Sequence, residues 1–353
     1  MIRDLHGNLL ADDADALVNT VNTVGVMGKG IALQFKRAYP EMFTDYAREA
    51  KRGSLTTGRM HVWETGSLSG PRLIINFPTK RHWKAGSRIE DIEAGTADLV
   101  RVVRDRHIRS IAIPPLGCGN GGLEWADVAS RIRAAFEPLS ASVDVRLYAP
   151  DGAPPAREMV NRTASPALTP MRAALLTLMS AYHAAGWEWP GLVEMQKLAY
   201  LLQEAGEPLR LHFTKGSYGP YSDDLRKTLR DMEGHFITGF GDGSARPLNG
   251  EPLEVTVDVA DEVSRVIQRD PATARRTRQV LDLVSGFEGA YDLELLASVH
   301  WAAVHEGART VDDAGQFIRA WTSRKAGLFG PQDVCVAWDA LENQGWLRQL
   351  AAV

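Results

Sequence analysis

The first apolar run of the chain, residues 16–24, is rich in β-branched side chains and reads as a buried strand. It breaks at Gly25, Gly28 and Gly30, then resumes as Ile31, Ala32, Leu33 and Phe35, a helical spacing that stops before Pro40. The same order recurs further on, with Ile111 to Pro115 as strand, Gly117, Gly119, Gly121 and Gly122 as loop, and a helix over residues 125–136. Residues 2–5 read as a short strand, 30–38 and 40–52 as helices, and 59–64 and 73–77 as strands. Residues 88–107 form one long amphipathic helix, with Ile89, Ile92, Leu99, Val102 and Val103 at helical spacing. Strands at 110–114 and 143–148 complete the series. This alternation predicts an α/β domain over residues 1–150, a mixed sheet sandwiched between helices.

From 151 to 170 the apolar periodicity disappears, and five of the 18 prolines fall at positions 150, 154, 155, 166 and 170. That composition predicts a semi-extended linker, because proline fixes φ. Residues 171–353 return to helical spacing and predict a mainly helical second domain. Its helices are expected at 171–185, 192–205, 222–232, 258–269, 272–285, 292–305, 311–325 and 331–344, with a short strand near 254–257. Residues 213–222 read as a loop, with Ser222 or Asp223 capping the helix that follows.

Charge sharpens the division. The net charge of −4 conceals a balance of +2 over residues 1–155 (20 Lys+Arg against 18 Asp+Glu) and −6 over the rest (20 against 26). A slightly basic first half suits an anionic substrate, and an acidic second half argues against direct nucleic-acid binding there. The two cysteines, Cys118 and Cys335, lie one in each half, and their pairing is not expected, which fits a reducing cytoplasm. No apolar run approaches the ~18 residues of a membrane span, and no His/Cys/Asp group has metal-ligand spacing, so neither membrane nor metal nor cofactor is expected. Asn161-Arg162-Thr163 matches a glycosylation acceptor, which a cytosolic location makes coincidental.

A strand that runs through glycines into a helix N-terminus is suited to phosphate, because glycine lets backbone N–H groups approach and the helix dipole favours an anion. The spacing of the first loop is neither the dinucleotide nor the mononucleotide fingerprint. Two such loops at neighbouring strand ends can nevertheless clamp a diphosphate from both sides. Asn22 and Thr23 stand where the first strand ends. The alternative for Asn22 is a side chain capping the Gly25–Gly30 turn. Cys118, between glycines and without a histidine nearby in sequence, reads as a small buried residue rather than a nucleophile. Trp83, able in principle to stack on a base or ribose, reads as core.

Three blocks carry a resemblance: Asn19-Thr20-Val21-Asn22, Gly28-Lys29-Gly30-Ile31-Ala32, and Pro114-Pro115-Leu116-Gly117-Cys118-Gly119. Together they resemble the ADP-ribose loops of macrodomains, which are three-layer α/β/α folds. Asn76-Phe77-Pro78-Thr79-Lys80, followed by His82-Trp83, resembles more narrowly the DarG family, the DNA ADP-ribosyl glycohydrolase antitoxins of DarT–DarG systems. The resemblance covers roughly residues 1–150. Lys197-Leu198-Ala199-Tyr200 and Tyr218-Gly219-Pro220-Tyr221-Ser222 are similar to helical domains of other bacterial antitoxins and to the C-terminal region of that family.

The resemblance implies removal of ADP-ribose from thymidine in single-stranded DNA, and a second domain that binds and silences a DarT-like ADP-ribosyltransferase toxin. It implies an ADP-ribose seat formed by Asn8, Leu9, Asn22, Thr23, Met27, Gly28, Gly30, Ile31, Thr79, Leu116, Gly117, Cys118, Gly119, Asn120 and Gly121, with Lys80 as nucleophile and Asn22 orienting the distal ribose. Taken alone, a lysine is usually a solvated surface residue. The family's catalytic lysine sits in this motif, and partial burial beside Arg81 and His82 would lower its pKa. Where macrodomains usually carry aspartate against adenine, Asn8 can still accept a hydrogen bond, without charge assistance. Related glycohydrolases place an aspartate in the second loop, and Gly119-Asn120-Gly121-Gly122 has none. His82 and Glu124 are weak candidates for the missing acid–base role and read as structural. Hydrolysis of ADP-ribosylated protein or acyl-ADP-ribose, or ADP-ribose binding without catalysis, stand as alternatives. Asp223, Asp224, Asp231 and Glu233 form a candidate acidic face for occupying a toxin's phosphate groove.

Overall fold

The computed structural model describes residues 1–67 and 69–347, which divide into two compact units. The first comprises Met1–Ala164 with Asp242–Ser244, the second Ser165–Gly241 with Ala245–Val353.

In the first unit the strands are β1 (Ile2–Leu5), β2 (Ala16–Asn22), β3 (His61–Glu64), β4 (Leu73–Lys80), β5 (Ser110–Ile113) and β6 (Asp144–Tyr148). Its helices are α1 (Ile31–Ala38), α2 (Pro40–Lys51), α3 (Ile89–Asp105) and α4 (Trp125–Phe136). The strands form one sheet in the order β1-β6-β5-β2-β4-β3, parallel throughout except for the antiparallel β3 at one edge. Parallel strands connected by crossover helices have both faces covered, hence the continuous apolar runs. One face packs Ile92, Leu99 and Val103 of α3 and Ile132 and Phe136 of α4 against the sheet. The other packs Phe35 of α1 and Met42 and Tyr46 of α2. The result is the expected three-layer α/β/α sandwich.

Strand β4 runs further than its apolar pattern indicates. The strand expected at 73–77 continues through Pro78 and Thr79 to Lys80. The antiparallel neighbour β3 covers only Leu73 to Asn76, so the N–H that Pro78 lacks has no partner strand on that side. On the other side β2 pairs along its whole length, with a register shift between Val21 and Asn22 that sets Asn22 opposite Lys80. Beneath the strand, a Cβ on Gly95 of α3 would lie 2.2 Å from the Phe77 ring, so that helix packs tightly only because the position is glycine.

The segment after β6 also differs from expectation. Residues 151–164 belong to the first unit. Ala156 is buried, in a 3-10 turn (Ala156–Glu158), and the Arg162 N–H donates to the Arg37 carbonyl oxygen at 2.8 Å.

The second unit is built from α5 (Pro170–Ala184), α6 (Leu192–Glu204), α7 (Asp223–Met232), α8 (Ala260–Ile267), α9 (Pro271–Val284), α10 (Ala290–Glu306), α11 (Val311–Trp321), α12 (Ser323–Leu328) and α13 (Pro331–Asn343). Leu293 to Ala303 of α10 are all buried, which makes it the central helix. The expected helix 311–325 is two helices, because Thr322 takes extended backbone and its hydroxyl caps α12 at the Lys325 N–H. The expected loop 213–222 is a β-hairpin of β7 (Thr214–Gly216) and β8 (Gly219–Tyr221). A second small pair joins β9 (Ile237–Thr238) to β10 (Glu254–Val255), which is shorter than the strand read at 254–257. Ser222 caps α7 as expected, accepting from the Leu225 N–H.

The two blocks that resemble other antitoxins account for the hairpin's position. Gln196 brackets the backbone of Ser222, accepting from its N–H at 2.8 Å and donating to its carbonyl at 3.0 Å. Lys197 donates to the Pro220 carbonyl at 2.8 Å, and Tyr200 pairs with His300 Nδ1 at 2.8 Å. Gly219 has φ +93°, and a Cβ there would meet Ser298 Oγ at 3.0 Å. The proposed acidic face is not uniform. Glu233 is 3% exposed and accepts from the Phe240 N–H. On α7, Asp223, Asp224 and Asp231 alternate with Arg226, Lys227 and Arg230, and Asp231 is ion-paired with Arg230.

Candidate active site

A cleft of about 770 Å³ opens in the first unit, where the carboxyl ends of β2 and β4 meet the two glycine loops. In a parallel sheet this is the end where loops diverge and ligands bind. The first loop is shaped by Asn22. Its side-chain oxygen accepts from the N–H groups of Val24 at 3.1 Å and Val26 at 3.3 Å, and its amide donates to the Val26 carbonyl at 2.6 Å. The buried Tyr46 hydroxyl donates to the Asn22 carbonyl at 2.5 Å and fixes it from below. Asn22 lines the cleft, but its carboxamide is committed to the turn. Gly30 closes the loop at φ +66°, a conformation that favours glycine, and sets the N-terminus of α1 at the cleft.

The second loop folds back on itself. The Leu123 N–H donates to the Gly117 carbonyl at 3.1 Å, and the Gly122 N–H to the Gly119 carbonyl at 3.2 Å. A Cβ on Gly121 would lie 2.3 Å from both the Gly117 oxygen and Ser87 Oγ, whereas one on Gly119 meets nothing within 4 Å. Glycine is thus sterically demanded at 121, while Gly119 leaves space within the cleft. The loops approach each other where a Cβ on Gly30 would stand 3.6 Å from Asn120 Nδ2.

Lys80 bridges to the second loop. Its Nζ donates to the Asn120 carbonyl oxygen at 2.9 Å. The residue is half-buried at the end of β4, and burial holds its pKa below the ordinary lysine value. The neighbouring charges invoked for that shift are not its cause: Arg81 turns away to Asp91, with nitrogen–oxygen distances of 3.2–3.3 Å. A less protonated amine, held by a carbonyl and facing an open cleft, can attack an electrophilic carbon.

Of the other expected site residues, Asn8, Leu9, Gly28, Gly30, Ile31, Thr79, Gly117, Gly119, Asn120 and Gly121 line the same cleft. Four do not line it. Met27 and Leu116 are core side chains, Thr23 donates its hydroxyl to the Arg81 carbonyl, and Cys118 packs against the core with its thiol on the Leu116 carbonyl. Burial pushes the Cys118 thiol up to about 11, so it is a poor nucleophile. Asn8 uses its oxygen to cap the Leu10 N–H at 3.0 Å, leaving one lone pair for a ligand. Asn19 and Asn76 of the motifs are fully buried and bonded to each other at 2.8 Å across β2 and β4.

Sequence reasoning missed Tyr148, Ala149, Pro150 and Gly152–Pro154, which line the cleft although the last three were assigned to the linker. It also placed Trp83 in the core. Trp83 is 49% exposed and lines the cleft with Lys84. The all-polar surroundings of Trp83, Arg81-His82-Trp83-Lys84, were the signal that could have found it.

The layered sheet, the paired glycine loops and the cleft between them define a macrodomain, and the Macro domain family model matches residues 18–132. Over 352 residues the chain is 47% identical to the DNA ADP-ribosyl glycohydrolase of Mycobacterium tuberculosis, with 97% of this chain and 99% of that protein covered. It is 46% identical over 348 residues to the DNA ADP-ribosyl glycohydrolase of Thermus aquaticus, with 99% and 95% covered. A third relative, from Thermosipho africanus, is a fusion of a DNA ADP-ribosyl transferase with a DNA ADP-ribosyl glycohydrolase; it is 32% identical over 161 residues, 41% of each chain. The chain belongs to the DNA ADP-ribosyl glycohydrolase family, the DarG antitoxins, and is a hydrolase of that class. Among the described residues no helix is long and apolar enough to cross a membrane.

Proposed function

We propose that the cleft removes ADP-ribose from thymidine in single-stranded DNA, with Lys80 as the nucleophile. The observation that carries this reading is the Lys80 amine, half-buried at a strand end and held 2.9 Å from the Asn120 carbonyl at the cleft wall. In its neutral form Nζ attacks the anomeric carbon of the distal ribose, and the bond from that carbon to the thymine nitrogen breaks. The leaving base takes up a proton, balanced by the one that the alkylated amine loses. Ring opening gives an imine on Lys80, and water then adds to the same carbon, releasing ADP-ribose and restoring the amine. Asn22 contributes by fixing the first loop around the ribose. Glycine-loop N–H groups and the start of α1 supply the diphosphate seat.

The second unit is assigned to binding a DarT-like transferase toxin. A transferase partner is supported by the fusion relative, which joins transferase and glycohydrolase in one polypeptide. Two cysteines without a disulfide fit a cytoplasmic location.

Incubating the purified chain with an ADP-ribosylated single-stranded oligonucleotide, and separately with ADP-ribosylated protein, tests the substrate. Free ADP-ribose from the oligonucleotide is expected. Release only from protein would reassign the substrate, and release from neither would leave ADP-ribose binding as the function.

A further inference from the structure

We propose that Trp83 is a nucleobase platform at the mouth of the cleft, receiving a base of the DNA strand while ADP-ribose occupies the interior; this rests on the glycohydrolase reading of the same cleft. Of the nine tryptophans, Trp83 is the one among the described residues that is exposed. Exposure of one ring is ordinary in itself, but this ring is held in an organised setting. The strap that carries it, residues 81–86, is exposed throughout yet anchored at both ends. At one end it leaves β4 at Lys80. At the other, the Ser87 N–H donates to the Gly121 carbonyl of the second loop at 3.0 Å. Inside the strap the Ala85 N–H donates to the His82 carbonyl at 3.0 Å, and the Lys84 N–H to His82 Nδ1 at 3.2 Å.

These bonds hold the His82 ring against the indole, centroids 5.4 Å apart and planes 29° from parallel, so Trp83 is backed by a second ring. The Lys84 ammonium lies over the indole, 4.9 Å from its centroid. A cation over an exposed ring is weakly held and easily displaced. An incoming base takes its place on the ring, and Lys84 turns to a backbone phosphate. The strap has no acidic side chain of its own, and although Arg81 is paired with Asp91, Lys84 within it and Arg88 just beyond leave it basic, which favours a phosphate chain running across it. Stacking on a ring is tolerant of base identity but needs an unpaired base, so this platform selects single strands over duplex. The leaving base is attached to the carbon that Lys80 attacks, and Trp83 follows Lys80 by three residues on the same wall, so the ring meets DNA rather than adenine.

The test compares the full-length protein with Trp83→Ala and Trp83→Phe on an ADP-ribosylated single-stranded oligonucleotide and on the ADP-ribosylated thymidine nucleoside. Trp83→Ala is expected to lower kcat/KM on the oligonucleotide roughly 10- to 100-fold, and Trp83→Phe by no more than about threefold, since any aromatic face can stack. ADP-ribose affinity by calorimetry and the melting temperature should stay at wild-type values. An unmodified oligonucleotide should quench tryptophan fluorescence in the wild type and less in Trp83→Phe. A loss on both substrates identifies the stacked base as the modified one, and a loss on the oligonucleotide alone identifies a flanking base; either supports the platform. Wild-type kcat/KM in Trp83→Ala, or a parallel fall in ADP-ribose affinity, would overturn it. Failure of the wild type itself to release ADP-ribose from DNA would overturn the glycohydrolase reading instead, a result independent of the fluorescence comparison.

Discussion

Lys80 in the first unit and Lys197 in the second begin from the same chemistry and end in different roles. Each amine donates to a backbone carbonyl, Asn120 at 2.9 Å and Pro220 at 2.8 Å, and burial lowers the pKa of each. Lys197 is the more perturbed, pulled down to about 7, yet it is 1% exposed and clamped behind the β7–β8 hairpin. Lys80 is less perturbed and opens onto a cleft large enough for a nucleotide diphosphate. A lowered pKa therefore does not by itself mark a nucleophile. Access separates the two: at Lys197 the low pKa follows from burial behind a hairpin, whereas at Lys80 the amine faces a cleft that a substrate can enter.

The strongest way to break the comparison is Lys80→Ala. It should reduce hydrolysis by at least about 1,000-fold while ADP-ribose affinity stays within roughly tenfold, about 1.4 kcal/mol, because the glycine loops bind the ground state. In the wild type the rate should rise with pH as the amine loses its proton, with an inflection below the ~10.4 of an ordinary lysine. Near-wild-type turnover by the variant would remove Lys80 from the chemistry. Gly119→Glu should act on binding instead, weakening ADP-ribose by about 100-fold or more, since its carboxylate would repel the diphosphate. Open space around that Cβ means the loop can still fold, so calorimetry showing unchanged affinity would exclude a phosphate seat there.

In the second unit the same kinds of change should affect stability and leave hydrolysis alone. Gly219→Ala meets a positive φ and a crowded hairpin seat, and should cost about 1–3 kcal/mol in denaturant unfolding. Lys197→Met should alter a slope. With a folded pKa of about 7 against ~10.4 unfolded, the unfolded chain holds the extra proton between those values, so stability rises with pH across that window. The variant should flatten the rise, as read from melting temperatures at successive pH values. An equal slope in both proteins would mean that Lys197 stays protonated in the fold. The smallest effect is expected at Cys118. Its thiol is pushed up to about 11, so iodoacetamide at neutral pH should leave activity within about twofold.

Much of this was legible before any coordinates. Apolar periodicity placed α4 at its observed bounds and most other elements of the first unit within two residues, because a strand buried on both faces and a half-buried helix impose different repeats. Glycine spacing located both loops, and the motif around Lys80 indicated the family. Local pattern determined these features because each depends on neighbours along the chain. What it could not determine depends on neighbours across space. Asn22 and Asn76 are the same residue type in similar motifs, yet one closes a turn at the cleft and the other pairs with Asn19 in the core. Thr322 splits a helix whose apolar spacing runs on, and Pro150 and Pro154 form part of the cleft wall before the chain leaves the first unit. The closure of the second loop onto Lys80 was decided only by the tertiary structure, because the Lys80 amine reaches the Asn120 carbonyl and the Ser87 N–H reaches the Gly121 carbonyl across roughly 35–40 residues of sequence, a pairing set by sheet register that no local repeat encodes.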